Sequence, residues 1–240
     1  MSDSVLWNPR DSRGERPPLD TQLSDWSVDK RRATHLNAKR HFNAREYHLK
    51  WFFRRFFSGN PGQREFNNAR RIKGLGIPTV VAVGWGYHPL GTFFVMEGSP
   101  GVPVFHLPEF PEESVLRKMS LDLGRLVALL HNANLCHRDL YVDHVLIHDD
   151  ALRLIDVERV MKFRRRRWII KDLGGLLFSA WREKLAPSLC RAFLRSYLAH
   201  SDRCWNRKRL ITAVQRKAHV YWRHNDHRPY LSVTPHGQEE

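Results

Sequence analysis

Between Asp20 and Lys50 the chain has no glycine, although it holds 14 overall. A glycine-rich phosphate loop ahead of residue 50 is therefore excluded. Cysteine is scarce as well: Cys136, Cys190 and Cys204 form no CxxC pair, and their odd number argues against a disulfide framework. Reduced thiols in a cytosol fit best. No apolar run approaches the ~18 residues that a spanning helix needs. The most apolar stretch, Trp168 to Trp181, is broken by Lys171 and Asp172. Met1 to Asp20 is polar and lacks the apolar core of a signal peptide. A soluble or peripheral protein is expected, cytoplasmic and at most resting on the inner face of a membrane.

Acidic residues are also few. There are 25 Asp+Glu against 40 Lys+Arg, a net charge of +15 among 240 residues. Such a balance favours an anionic partner: nucleic acid, an anionic membrane surface or a phosphorylated glycolipid. No nucleic-acid-binding motif is present, so nucleic acid is not expected. Hydrophobic residues at 42% are enough for a packed core.

What the chain does contain changes character along its length. Residues 1–29 mix Pro, Ser, Asp and Arg without periodicity and read as a loose lead-in. Residues 30–97 read as strands plus one helix. Tyr47 to Phe53 is aromatic and strand-like, Asn60-Pro61-Gly62 is a turn signal, and Gln63 to Lys73 has helical spacing. Short β-rich runs follow at Thr79–Val83 and Thr92–Met96, then a Gly/Pro hinge at 98–104. Residues 105–224 read as mainly helical. Pro111-Glu112-Glu113 opens a helix whose Val115, Met119, Leu123, Leu126, Val127 and Leu130 share one face, ending near Asn132–Asn134. A loop at Cys136–Asp143 leads to a hairpin: strand Val145–His148, an Asp149-Asp150 turn, and strand Leu152–Val157. Helices are predicted over about 168–182, 187–200 and 205–223, with a frayed tail at 225–240. The fold class is α+β, with a cleft between unlike lobes.

Phosphoryl transfer needs a cation on the nucleotide phosphates, metal ligands, and a carboxylate that orients the attacking hydroxyl. Asp139 lies in the loop, with His144 five residues and Asp156 seventeen residues further on. The hairpin can fold Asp156 back beside Asp139. Asp139 would then accept the hydroxyl proton while His144 and Asp156 hold metal. Lys50 on a strand and Glu65 on the next helix suit the ion pair that aims an ammonium at phosphate oxygens.

The order Lys50, Glu65, His137-Arg138-Asp139, Asp156 resembles the protein-kinase-like two-lobed fold. The finer resemblance is to the bacterial lipopolysaccharide kinases, which phosphorylate Kdo or heptose of the inner core. Their catalytic loop resembles His137 to His144, with His where protein kinases carry Asn. The Leu154–Arg159 segment, the Arg167–Leu173 segment and Gly76-Ile77-Pro78 are similar too, so the resemblance runs from about Tyr47 to Ala180. It implies ATP and Mg²⁺ as cofactors, Asp139 as base, Asp156 and His144 on the metal side, and Lys50 with Glu65 as the ion pair. It also implies Glu97 and its neighbours at the adenine, and Asp172 holding the loop from a buried helix. The Arg164-Arg165-Arg166-Arg167 run would suit a phosphorylated sugar or acidic headgroup. The missing glycines are a departure from that family pattern.

Three functions remain open on the sequence alone. The first is an ATP-dependent kinase of a lipopolysaccharide core sugar. The second is a protein or small-molecule kinase, against which Tyr141 stands where protein kinases carry Lys. The third is a pseudokinase-type module binding nucleotide or anionic lipid.

Overall fold

The computed structural model describes residues 6–7, 26–31, 33–42, 45–53, 59–88, 90–98, 101–103, 111–148 and 151–225. The N-terminal part contains β1 (Leu6–Trp7), β2 (Ser27–Arg31), β3 (His35–Phe42), β4 (Arg45–Phe53), α1 (Pro61–Gly74), β5 (Val81–His88) and β6 (Gly91–Glu97). The strands form one antiparallel sheet in the order β1-β5-β6-β4-β3-β2. The remainder holds β7 (Val102–Pro103), α2 (Glu113–Asn132), β8 (Leu135–Cys136), β9 (Val145–His148), β10 (Ala151–Leu154), β11 (Met161–Lys162), α3 (Arg167–Arg182), α4 (Pro187–His200) and α5 (Arg207–Asn225). There α2 packs on α4 and α3 on α5. This is the two-lobed protein-kinase-like arrangement, strands first and helices after.

Strand alternation decides which way Lys50 faces. Tyr47, Leu49 and Trp51 of β4 bury against Trp26, Leu36, Ala38, Phe93 and Val95 on one face. Lys50 and Phe52 therefore turn to the other, where Phe52, Phe94 and Trp85 meet Phe66, Ala69 and Ile72 of α1. α1 is capped by Asn60, whose Oδ1 accepts from the Gln63 amide at 2.9 Å, with Pro61 at its first turn. Gly62 brings this helix start onto β6: a Cβ there would lie 2.5 Å from the Phe93 carbonyl oxygen.

Several boundaries differ from the sequence reading, among them the β run expected at Thr79–Val83, which is β5 at Val81–His88. The loose lead-in at 1–29 contributes β1 and the start of β2. β2 is exposed throughout, so it has no buried alternation to betray it and is held by backbone pairing with β3. The hinge at 98–104 contains β7, paired with β9. The second hairpin strand stops at Leu154. Asp156 lies two residues beyond it in left-handed backbone (φ 56, ψ 48), followed by a 3₁₀ turn at Val157–Arg159. The cause is a change of partners: the Leu154 amide donates to the Pro78 carbonyl at 3.0 Å and the Ile155 amide to the His144 carbonyl at 3.0 Å. Finally, α5 runs on to Asn225, where the tail was expected to begin. The Asp149-Asp150 turn and residues 226–240 of that tail lie outside the described residues.

Candidate active site

α1 carries two of the contacts that assemble the site. Glu65 is 2% exposed and lies 3.0 Å from Lys50 Nζ. One turn on, the Asn68 amide group donates to the carbonyls of Val157 (2.8 Å), Glu158 (3.2 Å) and Val160 (3.0 Å). The helix that braces Lys50 thus also holds the turn that follows Asp156. Lys50 Nζ reaches Asp156 Oδ1 at 2.6 Å. Arg64, on the same helix, pairs with Glu158.

Charge in this cluster is set by burial and by neighbours. Burial works to discharge the Lys50 ammonium, but Glu65 and Asp156 outweigh it and hold its pKa above the ordinary lysine value. Burial likewise pushes the Asp156 carboxyl up, yet Lys50 and His144 bring it well below the usual carboxylate range. Glu65, more deeply buried, is pushed up by desolvation to about 7 despite Lys50.

α3 builds the loop around Asp139 as a single stripe. Asp172, 1% exposed, accepts from the backbone amides of His137 (2.6 Å) and Arg138 (2.7 Å). His131 Nε2 approaches the same carboxylate at 3.3 Å. Lys171, one residue earlier, donates to the Arg138 carbonyl. A turn later, Gly175 leaves room for the Leu140 carbonyl, which a Cβ would meet at 2.8 Å. Another turn on, Ser179 Oγ accepts from the Val142 amide at 2.9 Å. These contacts hold Arg138 in left-handed backbone at φ 74, a strained setting for a residue with a side chain. His137, fully buried, places Nε2 3.0 Å from the Ile155 carbonyl; burial lowers its pKa.

His144 connects the two acids. Its Nδ1 lies 2.7 Å from the Asp139 carbonyl oxygen, which can only accept, so Nδ1 carries hydrogen. In the neutral ring Nε2 then bears the lone pair, 3.5 Å from Asp156 Oδ2. Asp139 itself faces two cations: Arg159 Nη1 is 2.6 Å from Oδ2, and Lys171 Nζ is 3.8 Å from Oδ1.

Lys50, Glu65, Asp156 and His144 are thus joined in one chain of contacts, and His144 ties them to Asp139. Glu97 ends β6 and pairs with Arg45 at 3.0 Å, apart from that chain. Arg164 to Arg167 are exposed at the start of α3, with Arg166 over the Trp205 ring (5.0 Å) and Arg167 over Trp168 (5.0 Å). Arg138, in the loop that carries Asp139, also lies over the Trp168 ring at 5.5 Å. Sequence reasoning missed Arg159, Lys171 and Asn68. The one available signal was position: Arg159 comes three residues after Asp156, and Lys171 directly precedes Asp172.

Among the described residues no group of three or more His, Cys, Asp or Glu converges to hold a metal ion. The Asp156 carboxylate is the kind of oxygen donor that Mg²⁺ takes, with waters and phosphate oxygens completing its octahedron, whereas the His144 imidazole offers it a nitrogen.

Comparison with known proteins bears on the family resemblance and the fold. The model of the lipopolysaccharide kinase (Kdo/WaaP) family matches residues 105–197, which include α2, the loop, the hairpin, α3 and most of α4. The lipopolysaccharide core heptose(I) kinase WaaP of Escherichia coli is 29% identical over 159 residues, 57% of this chain and 59% of that protein. WaaP of Pseudomonas aeruginosa is 29% identical over 158 residues, 56% of this chain and 58% of that protein. The matched region thus spans under two thirds of the length of these curated relatives. A solved structure of WaaP in complex with acyl carrier protein superposes with a TM-score of 0.62 at 25% identity, covering 82% of this chain and 88% of that one. An aminoglycoside-3'-phosphotransferase of type VIII shares the fold, with a TM-score of 0.59 at 20% identity over 80% of this chain and 93% of its own. By its motif order, its fold and these matches, the chain is similar to the lipopolysaccharide kinase (Kdo/WaaP) family over residues 105–197.

Proposed function

We propose that this protein is an ATP-dependent kinase that phosphorylates a sugar hydroxyl of the lipopolysaccharide inner core, Kdo or heptose. The observation that carries the reading is the contact chain from Glu65 through Lys50 to Asp156 and His144, ending at the Asp139 backbone. It unites the phosphate cation, the metal side and the base that phosphoryl transfer requires.

Each residue has a part in this reading. Lys50, kept charged by two carboxylates, takes the nucleotide phosphates, and Glu65 holds it in line. Asp156 and His144 would hold Mg²⁺, which when bound neutralises phosphate charge. Asp139 orients the sugar hydroxyl and receives its proton. Glu97, at the end of the central strand β6, borders the adenine. The exposed run Arg164–Arg167 meets the phosphates of the acceptor.

The family relatives named as heptose(I) kinases support heptose over Kdo. Peripheral contact with an anionic membrane on the cytoplasmic side fits α5, which carries no Asp or Glu and exposes Arg207, Lys208, Arg209, Arg216 and Arg223 beside Trp222. Among the described residues no helix is long and apolar enough to cross a membrane.

The test is transfer of labelled γ-phosphate from ATP to lipopolysaccharide core lacking its phosphates. Wild type should transfer label, and Asp139→Ala should lose at least about 1000-fold in rate while keeping its melting temperature. Wild type that transfers no more label than Asp139→Ala would sink the reading.

A further inference from the structure

A protein kinase places a Lys two residues after its base, and here Tyr141 occupies that place. Its ring packs edge-on against Phe178 (6.4 Å) and Tyr221 (6.2 Å), a contact with α3 and α5. The stretch from Asp139 to His144 therefore brings no Lys or Arg of its own to the base. Lys171 stands in a different place with the right reach. Its ammonium lies 3.8 Å from Asp139 Oδ1, on the carboxylate oxygen opposite the one that Arg159 holds. That distance is too long for a hydrogen bond, so the ammonium faces the carboxylate without being tied to it. One of its three N–H donors goes to the Arg138 carbonyl, a contact that fixes its position along the loop. Its side chain is 22% exposed, as is that of Asp139, so solvent reaches both. Burial lowers the Lys171 pKa, in keeping with an ammonium partly stripped of water, where a charge acts most strongly on a neighbour.

On the phosphotransfer reading above, we propose that Lys171 is a catalytic residue, the cation that stabilises the phosphoryl group in flight on the acceptor side. In the step, Asp139 takes the proton of the acceptor hydroxyl and the hydroxyl oxygen forms its bond to the γ-phosphorus. The bond from that phosphorus to the bridging oxygen breaks, and its electron pair leaves on the nucleoside diphosphate. Negative charge on the transferring oxygens stays beside Asp139 throughout. A fixed ammonium there lowers the barrier and offsets the repulsion between phosphoryl group and carboxylate. α3 thus supplies from outside the loop the charge that Tyr141 cannot.

A purely structural alternative is that Lys171 only clamps the Arg138 carbonyl. Two variants separate the readings. Lys171→Gln keeps a donor for that carbonyl and loses the charge. Lys171→Arg keeps both. Each is assayed with ATP, Mg²⁺ and phosphate-free lipopolysaccharide core at a temperature below both melting midpoints, with binding of a fluorescent ATP analogue measured alongside. Charge stabilisation predicts that Gln lowers kcat about 100-fold with the KM for ATP within about threefold, while Arg stays within about tenfold of wild type. Gln matching Arg in kcat would overturn the proposal and leave the phosphotransfer reading standing. Wild type that transfers no phosphate would overturn both.

Discussion

Lys50 Nζ lies 2.6 Å from Asp156 Oδ1, closer than its 3.0 Å approach to Glu65. One ammonium thereby joins the sheet, α1 and the turn after the hairpin, and it compensates two carboxylates at once. Removing it exposes an imbalance. In Lys50→Met, Glu65 remains buried with no cation and Asp156 loses its nearest partner. At pH 8 this should cost on the order of 3 kcal/mol of stability. Urea unfolding monitored by tryptophan fluorescence would measure it, and transfer activity should fall at least about 100-fold.

Glu65 gives a pH signature of its own. Burial pushes its carboxyl up to about 7 from an ordinary 4.5. A raised pKa in the folded protein favours the fold while the carboxyl is protonated. That contribution is complete below pH 4.5 and is lost as pH rises through 7. Glu65→Gln does not titrate and so does not share the loss. The melting temperature of Glu65→Gln minus that of wild type should therefore become more positive between pH 5 and pH 8. Calorimetry of both proteins in chelator-containing, nucleotide-free buffer measures it. A difference independent of pH would contradict the assigned burial of the carboxyl.

Asp172 accepts two backbone amides at 2.6 and 2.7 Å and faces His131 at 3.3 Å, all within the core. Asp172→Ala leaves those donors without an acceptor and Arg138 in left-handed backbone without support. A loss of about 3–4 kcal/mol is expected, with faster amide exchange at His137 and Arg138. Hydrogen-exchange mass spectrometry of the loop would show it. Exchange unchanged from wild type would mean that the loop is held by something else.

The legible part of this protein was the part with a distinctive residue order. His137-Arg138-Asp139 and His144 sit at fixed steps on a loop that leads into a hairpin, while Asp156 falls two residues past the hairpin's second strand, which alternation carries on to Val157. Lys50 and Glu65 could be read only through that order, since a strand Lys or a helix Glu taken alone is commonplace. Lys171 and Arg159 could not be read the same way. Each is one cation among 40. Their approach to Asp139 depends on the rotational phase of α3 and on a 3₁₀ turn where a strand was predicted. Asn68 was hidden for the same reason: its three acceptors lie about 90 residues away. β2 left no trace because none of its residues is buried.

The Glu65–Asn68 spacing on α1 has a mechanical consequence. A rigid helix cannot withdraw one of these side chains without displacing the other, because they lie one turn apart. A rotation or slide of α1 would loosen the grip on Lys50 and release the carbonyls of Val157, Glu158 and Val160 in the same movement. The Lys50 end and the Asp156 end of the contact chain are therefore geared together, and α1 is the shaft between them.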